Sequence, residues 1–161
     1  MDKQFFKRLS LKKAFPQLVF IIGLTVILNF LRKGKDGFIS FLIAYIVFIL
    51  SRYLIRYTVT VEHTRGTELL KKGDFQGAIE HFNKSIEYFD AHRALDRWRS
   101  ILLLSPNQYE YREIALTNIA FAYNELGEVQ KAREYYEACL KDYPNNQVAI
   151  AAINKLDNEV E

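Results

Sequence analysis

Two long apolar runs without charged residues stand near the start of the sequence. The first is Phe15–Leu31, FPQLVFIIGLTVILNFL, and the second covers residues 37–51, GFISFLIAYIVFILS. The second run extends to Ile55 if the charged end of Arg52 reaches back to the headgroups along its aliphatic stem. A helix needs about 20 residues to cross a bilayer, within a range of about 17–25. The pattern therefore predicts two transmembrane helices, over about 15–31 and 37–55.

The charged segment RKGKD, residues 32–36, separates the two runs. Charged side chains and non-helical backbone are costly in hydrocarbon, so this segment belongs outside the bilayer. We therefore expect an antiparallel transmembrane hairpin within residues 15–57. The alternative is a pair of buried core helices in a water-soluble protein, which fits less well because neither run contains periodic polar residues.

The distribution of charge predicts an orientation for this hairpin. Five Lys/Arg precede the first run and five lie between Arg52 and Lys72, against three in the loop. By the positive-inside rule both termini face the cytosol, and the predicted location is the bacterial cytoplasmic membrane. Within residues 1–14, the basic segment 5–13 is interpreted either as an amphipathic stretch on anionic lipid or as a plain orientation signal.

Small residues recur at spacings of three and four along the second run. They are Gly37, Ser40, Ala44 and Ser51, with Val47 between the last two. A stripe of small residues lets a neighbouring helix approach closely in lipid. The predicted neighbour is the first run, through Gly23 and Thr25, or another protein; chance placement is the alternative.

The second half of the chain changes to an amphipathic pattern and contains an internal repeat. Residues 66–86 align without gaps to residues 120–140. In each window a small residue is followed by a turn glycine, an alanine, an aromatic residue and a second small residue. The matched pairs are Gly66/Ala120, Gly73/Gly127, Ala78/Ala132, Phe82/Tyr136 and Ser85/Cys139. Because glycine readily takes positive φ at a helix end, each window predicts two helices joined at the glycine.

This pattern resembles the tetratricopeptide repeat (TPR), a helix–turn–helix unit of about 34 residues. The resemblance covers about residues 59–92 and 113–146, and DYPNN at 142–146 is similar to the family's repeat end. Residues 147–156 resemble a further first helix that acts as a C-terminal cap. The first repeat departs from the family pattern at residues 58–61, at Glu62 and at Asp90, where the terminal proline is missing. The predicted fold class is all-α: a transmembrane hairpin followed by a short TPR-like α-solenoid over residues 58–161.

A helical insert, residues 93–112, separates the two windows. It has apolar residues at helical spacing, namely Ala94, Leu95, Trp98, Ile101 and Leu102. Without a proline at position 90, one prediction is a single helix over residues 75–104, and a break near Asp90 is the alternative. Residues 40–64 contain no Gly or Pro, which suggests the further hypothesis that the second span continues into the first repeat helix.

Residue types that carry out catalysis or bind metals are scarce in the second half. The three histidines, His63, His81 and His92, lack the spacing of a metal site, and Cys139 is predicted to be a packing residue. The sequence contains neither a phosphate-binding glycine loop nor a Gly-x-Ser-x-Gly motif. We therefore expect no enzyme activity, no cofactor and no metal. Residues 59–161 carry twelve Lys/Arg and seventeen Asp/Glu, which disfavours nucleic acid as a partner.

The family resemblance implies a protein-binding groove lined by the first helices of the repeats. Mapped onto this chain, the groove positions are His63, Thr67, Leu70 and Lys71, then Thr117, Asn118, Phe121, Asn124 and Glu125, and Lys155 of the cap. The basic clamp with which some family members hold a C-terminal carboxylate is not reproduced, because its lysines are missing. Since two repeats give a short groove, the insert around Trp98, Tyr109 and Tyr111 is a second candidate surface.

Two functions fit these patterns. The first is a membrane-anchored TPR scaffold or adaptor, with its repeats in the cytosol and with the bilayer and a cytosolic peptide or protein as partners. The second is an accessory or assembly subunit of a larger membrane complex, bound mainly through its transmembrane helices. The intact second repeat and its cap favour the first, and the small-residue stripe favours the second.

Overall fold

The computed structural model describes residues 11–158, with side chains described from residue 15 onward. The basic segment predicted within residues 1–14 lies outside the described side chains. The described part of the chain is all-α, as predicted, and has no strand. Its helices are α1 Leu11–Leu31, α2 Gly37–Thr58, α3 Val61–Lys72, α4 Phe75–Ala91, α5 Arg93–Arg97, α6 Arg99–Leu102, α7 Tyr111–Glu125, α8 Val129–Asp142 and α9 Gln147–Asn158.

The helices α1 and α2 pack side by side and antiparallel, joined by a tight loop. Three loop residues, Lys33, Gly34 and Asp36, have positive φ values of 54°, 73° and 51°. The buried face of α2 consists of Ser40, Ala44 and Phe48, which follow one another at successive turns. Phe48 meets Phe20 of α1 at a ring-centroid distance of 6.4 Å, so this face is turned toward α1.

The other predicted packing residues lie at the margin of this contact. Gly37 is exposed, and Ser51 is half-buried, with its hydroxyl donating to the carbonyl of Val47. A Cβ placed on Gly23 would meet no heavy atom within 4 Å. The close approach between the helices is therefore made through the small residues of α2 and not through the glycine of α1.

Among the described residues, α2 alone is both long and apolar enough to cross a membrane, judged by length and composition. Only 17% of its apolar window is buried within the protein. The described apolar part of α1, Phe15–Leu31, is a shorter helix. A crossing by both helices therefore remains a prediction.

The hypothesis of a continuous helix from α2 into α3 is wrong, because the helix is interrupted at Val59 and Thr60. The backbone N–H groups of both residues donate to the carbonyl of Ile55, at 2.9 and 3.1 Å, and Thr60 leaves the helical region at φ −108° and ψ 18°. Residues 58–61 are all β-branched, and such residues lose side-chain freedom in a helix. The same β-branched run that departs from the repeat pattern thus marks the break.

The pairs α3/α4 and α7/α8 have the same turn. Gly73 and Gly127 have φ values of 81° and 78°, as predicted for glycines that end a helix. At each turn the glycine N–H donates to the carbonyl three residues earlier, and the next N–H donates to the carbonyl five residues earlier. A non-glycine residue would be strained at either position.

The helices from α3 to α9 form a layered stack in which α3 packs on α4, α4 on α7, α7 on α8 and α8 on α9. Phe82 is fully buried, and its ring carbons lie 3.0 Å from the position that a Cβ on Gly66 would occupy. The two core clusters share Ile86, Tyr123 and Tyr135, so the core is continuous along the stack. Cys139 is buried in the second cluster, and burial raises the pKa of its thiol to about 12.

The insert is not one long helix. The helix that begins at Phe75 ends at Ala91, so the prediction of a single helix over residues 75–104 is wrong and the alternative, a break near Asp90, is correct. Two short helices, α5 and α6, follow, and α6 packs against α1. The insert therefore lies between the solenoid and the apolar helix pair.

Candidate functional site

A cleft of about 450 Å³ lies where the end of α2, the exposed face of α3 and the chain after α6 meet. In the following it is called the junction cleft. Its lining includes Arg52 and Arg56 of α2, His63, Thr67 and Lys71 of α3, and Ser105, Asn107 and Tyr111 of the insert. Two consecutive helices and a segment that lies more than 30 residues further along the chain therefore form one concave surface.

The α3 wall of the junction cleft follows from helical periodicity. Thr60, His63, Thr67 and Lys71 recur at spacings of three and four, which places them on one face of the helix. His63 is buried at the base of this wall, where its ring meets the ring of Tyr111 edge-on at 4.8 Å between centroids. Three of the predicted groove residues thus line this cleft, whereas a fourth, Leu70, is buried in the core.

The insert wall is held in place from two sides. The hydroxyl of Tyr111 donates to Oγ of Ser105 at 3.0 Å, and the ring of Tyr111 stacks on Phe89 of α4 at 5.1 Å between centroids. On the other side, the guanidinium of Arg52 donates to the carbonyl of Leu104. The last turns of α2 therefore fix the position of the insert.

A buried carboxylate connects the insert to α7. Asp96 is fully buried and accepts hydrogen bonds from the backbone N–H groups of Tyr111 at 2.6 Å and Arg112 at 2.8 Å. These donors belong to the first turn of α7 and have no partner within that helix. Burial raises the pKa of Asp96, although the two backbone hydrogen bonds act in the opposite direction.

A buried arginine organises the rest of the insert. Arg99 donates hydrogen bonds to the carbonyls of Asp96, Asn107 and Gln108 and is 2% exposed. Sequence reasoning missed both Asp96 and Arg99, because charged residues between helices are usually solvated. The available signal is their i, i+3 spacing within the insert, with Trp98 between them.

A second set of hydrogen bonds joins the starts of α7 and α9. Glu113 and Glu110 form a capping box, and a carboxylate oxygen of Glu113 accepts from Nδ2 of Asn146 at 2.8 Å. Asn146 in turn accepts from the backbone N–H of Ala149 at 2.8 Å. Burial raises the pKa of Glu113. The cap helix is thereby fixed to the second helix pair.

The structure places the remaining predicted groove residues away from the junction cleft. Thr117 and Asn118 are buried within α7, as is every residue from 113 to 120. Phe121 and Asn124 are half-buried, and Glu125 and Lys155 are exposed. Of the predicted insert residues, Trp98 is exposed, Tyr109 is half-buried and Tyr111 alone reaches the cleft.

The lining of the junction cleft combines polar and apolar side chains, and it carries more positive than negative charge. Its charged lining residues are Arg52, Arg56, Lys71 and Glu68, and the Arg56 guanidinium pairs with Glu68 at 2.7 Å. The remaining surface is lined by hydroxyl groups, among them those of Thr60, Thr64, Thr67 and Tyr53, and by the apolar side chains of Ile49, Ile55 and Leu103. Among the residues that the structure describes, no three His, Cys, Asp or Glu side chains are grouped to hold a metal ion. The cleft can thus offer hydrogen bonds and positive charge to a ligand.

Residues 115–146 match the family model of the tetratricopeptide repeat. This segment is a tetratricopeptide repeat. It takes in most of α7 and all of α8, and the resemblance predicted for residues 113–146 is therefore confirmed. Tetratricopeptide repeats are protein-interaction modules and are typically not enzymes. Comparisons of the chain with curated proteins and with solved structures give no significant match.

Proposed function

We propose that the protein is a membrane-anchored tetratricopeptide adaptor that binds an extended segment of a protein partner in the junction cleft, on the cytosolic side. The observation that supports the proposal is which helices form the cleft. Its floor is the first helix of the first helix pair, and its rim is the end of the apolar helix α2. The ligand site and the proposed anchor are therefore parts of one surface.

The chemistry of the cleft suggests what kind of segment would bind. Hydroxyl groups along one helix face can pair with the backbone N–H and C=O groups of an extended peptide. Arg52 and Lys71 add positive charge, since the charge of Arg56 is already compensated by Glu68. We therefore expect the partner segment to be acidic and extended.

The apolar surface of α1 and α2 supports the membrane anchor. Side chains such as Phe30 and Phe38 are 81% and 72% exposed, and similar exposure continues along both helices. Contiguous apolar patches of this extent are rare on soluble monomers. Contact with lipid removes the free-energy cost of exposing this surface to water. In this proposal both helices cross the bilayer, and the loop at residues 32–36 lies on the far side.

Site-specific crosslinking of the full-length protein in its membrane tests the adaptor proposal. A photoreactive residue at Thr67 in the cleft is expected to capture a protein partner. The same residue at Glu134, exposed on the outer face of α8, is the matched control and should capture little. Capture at neither position would contradict the adaptor proposal.

The same experiment tests the alternative function. A photoreactive residue at Ile46, which is 55% exposed on α2, reports on protein contacts made through the apolar helices. Capture at Ile46 and not at Thr67 would favour an accessory or assembly subunit held by its helices. The small-residue face of α2 gives that alternative less support, because Ser40 and Ala44 are already buried on the side that faces α1.

Cysteine labelling tests the anchor and its orientation. Cys139 is buried with a raised pKa, so a new surface cysteine can be labelled selectively by a membrane-impermeant maleimide. We expect Lys35→Cys and Lys155→Cys to be labelled from opposite sides of sealed vesicles. Labelling of both from the same side would contradict a double crossing, and the unmodified chain is the control for Cys139.

A further inference from the structure

We propose that the insert is a third membrane-contacting element, which places Trp98, Ile101 and Leu102 in the headgroup region of the bilayer. This inference rests on the proposed membrane anchor. In this inference the segment between the two helix pairs contacts the lipid surface beside α1 and α2.

The exposed apolar residues of the solenoid part are concentrated in the insert. In the described chain beyond Thr58, the exposed large apolar side chains are Trp98, Ile101, Leu102, Leu126 and Val129. The first three are 56%, 53% and 51% exposed and are spaced i, i+3 and i+4, so they share one face of the turn. They form an apolar edge on the insert.

The neighbouring residues hold this edge outward. Leu103 and Leu104 are buried, and Leu104 has a positive φ of 47°, so the chain turns at Leu104, directly after α6. On the preceding side, Arg99 is buried with three carbonyl partners. Buried residues thus fix the turn, and this fixed backbone directs its apolar side chains away from the core.

The apolar edge is continuous with the proposed anchor. The α6 helix packs against α1, and Arg52 near the end of α2 donates to the carbonyl of Leu104. Since α1 and α2 are antiparallel, the first turns of α1 and the last turns of α2 lie at the same level. That level is where α2 leaves the bilayer in the proposed function.

The aromatic residues at this level match a membrane interface. Tyr53 and Tyr57, near the end of α2, are 61% and 56% exposed. Together with Trp98 they place amphipathic rings at the level where Trp and Tyr are enriched in membrane proteins. A lipid surface satisfies both the apolar ring and the polar N–H of an indole.

Trp98 is the single tryptophan of the chain, so its fluorescence reports on the insert without a label. The full-length protein is reconstituted in vesicles of phosphatidylcholine and phosphatidylglycerol that contain brominated lipids. We expect blue-shifted emission that is quenched most strongly by bromine near the headgroups, less by bromine at the bilayer centre, and little by aqueous iodide. The variant Ile101→Ser with Leu102→Ser should shift the quenching from bromine toward iodide.

The control moves the tryptophan to another exposed apolar position, Val129, which is 43% exposed. In Trp98→Phe with Val129→Trp, the indole lies at the opposite end of α7 from the insert, and iodide but not brominated lipid should quench it. Quenching of Trp98 by iodide alone would overturn the inference. So would blue-shifted emission that brominated lipid leaves unchanged, because it would indicate burial against protein or a second copy.

Flotation of the same vesicles after an alkaline wash separates this inference from the proposed anchor. Loss of the protein from the vesicles would contradict the anchor itself, and with it the inference. Retention of the protein together with a water-exposed Trp98 would overturn the inference alone.

Discussion

Replacement of Phe82 by alanine is expected to lower the free energy of unfolding of the solenoid by about 3–5 kcal/mol, the usual cost of deleting a buried phenylalanine side chain. The ring is fully buried against Gly66, and it also meets the ring of His63 at 5.5 Å between centroids. Gly66, which faces the ring, cannot fill the resulting cavity because it has no side chain. Urea unfolding of the full chain in detergent, followed by circular dichroism, measures the loss.

The control for Phe82 lies two residues further along the same helix. Lys84 is exposed and pairs with Glu80 at 2.6 Å, and solvent screening leaves such exposed i,i+4 pairs with little effect on stability. Lys84→Ala should therefore change the midpoint of unfolding only slightly. Equal effects of Phe82→Ala and Lys84→Ala would contradict the packing described for α3 and α4.

Replacement of Asp96 by alanine is expected to lower the free energy of unfolding by about 2–6 kcal/mol, since each of two donors left without a partner costs about 1–3 kcal/mol. The two donors are the N–H groups of Tyr111 and Arg112. Amide hydrogen exchange should become faster in the first turn of α7 and remain unchanged in α8. Unchanged exchange at both donors would contradict the capping role.

The pH dependence gives a second measurement on Asp96. Its pKa is raised in the folded protein, so the folded state holds this proton more tightly than the unfolded chain. The contribution of this group to the free energy of unfolding is fully present below the ordinary aspartate pKa, and it is lost as the pH rises through the raised pKa. When the free energy of unfolding is measured against pH, Asp96→Asn should remove this loss of stability. The loss due to Glu113, whose pKa is also raised, should remain. An unchanged slope would contradict the burial of the Asp96 carboxylate.

The repeated helix pairs could be predicted from the sequence because local signals determine them. Gly73 and Gly127 are needed for positive φ, and Ala78 and Ala132 are fully buried where the second helix of each pair meets the first. These positions recur at fixed spacing, so one alignment of the chain with itself reveals both pairs.

The insert could not be predicted in the same way, because its structure depends on contacts between distant residues. Asp96 is buried only because α7 offers two backbone donors, and Arg99 is buried only because three carbonyls surround it. Neither partner set is visible as a local pattern. The α2 wall of the junction cleft could not be predicted for a similar reason, since it depends on the contact of Arg52 with the insert.

The burial of α7 shows a further limit of periodicity. Thr117 and Asn118 were predicted from the family resemblance to line a groove, but α7 packs on α4 and α8 and also touches α3. Both residues are buried as a result. Polar residues in a helix that is covered on several sides give no surface pattern from which their burial could be inferred.

The interruption at Val59 and Thr60 leaves only two residues between α2 and α3. Two extended residues span about 7 Å, which is too short to let the solenoid move far from the end of α2. In the proposed setting, a partner that is itself embedded in the bilayer meets the cleft by diffusion in two dimensions and at a high effective concentration. A freely diffusing partner gains no such advantage, so modest intrinsic affinity would suffice for membrane-resident ligands and select against soluble ones.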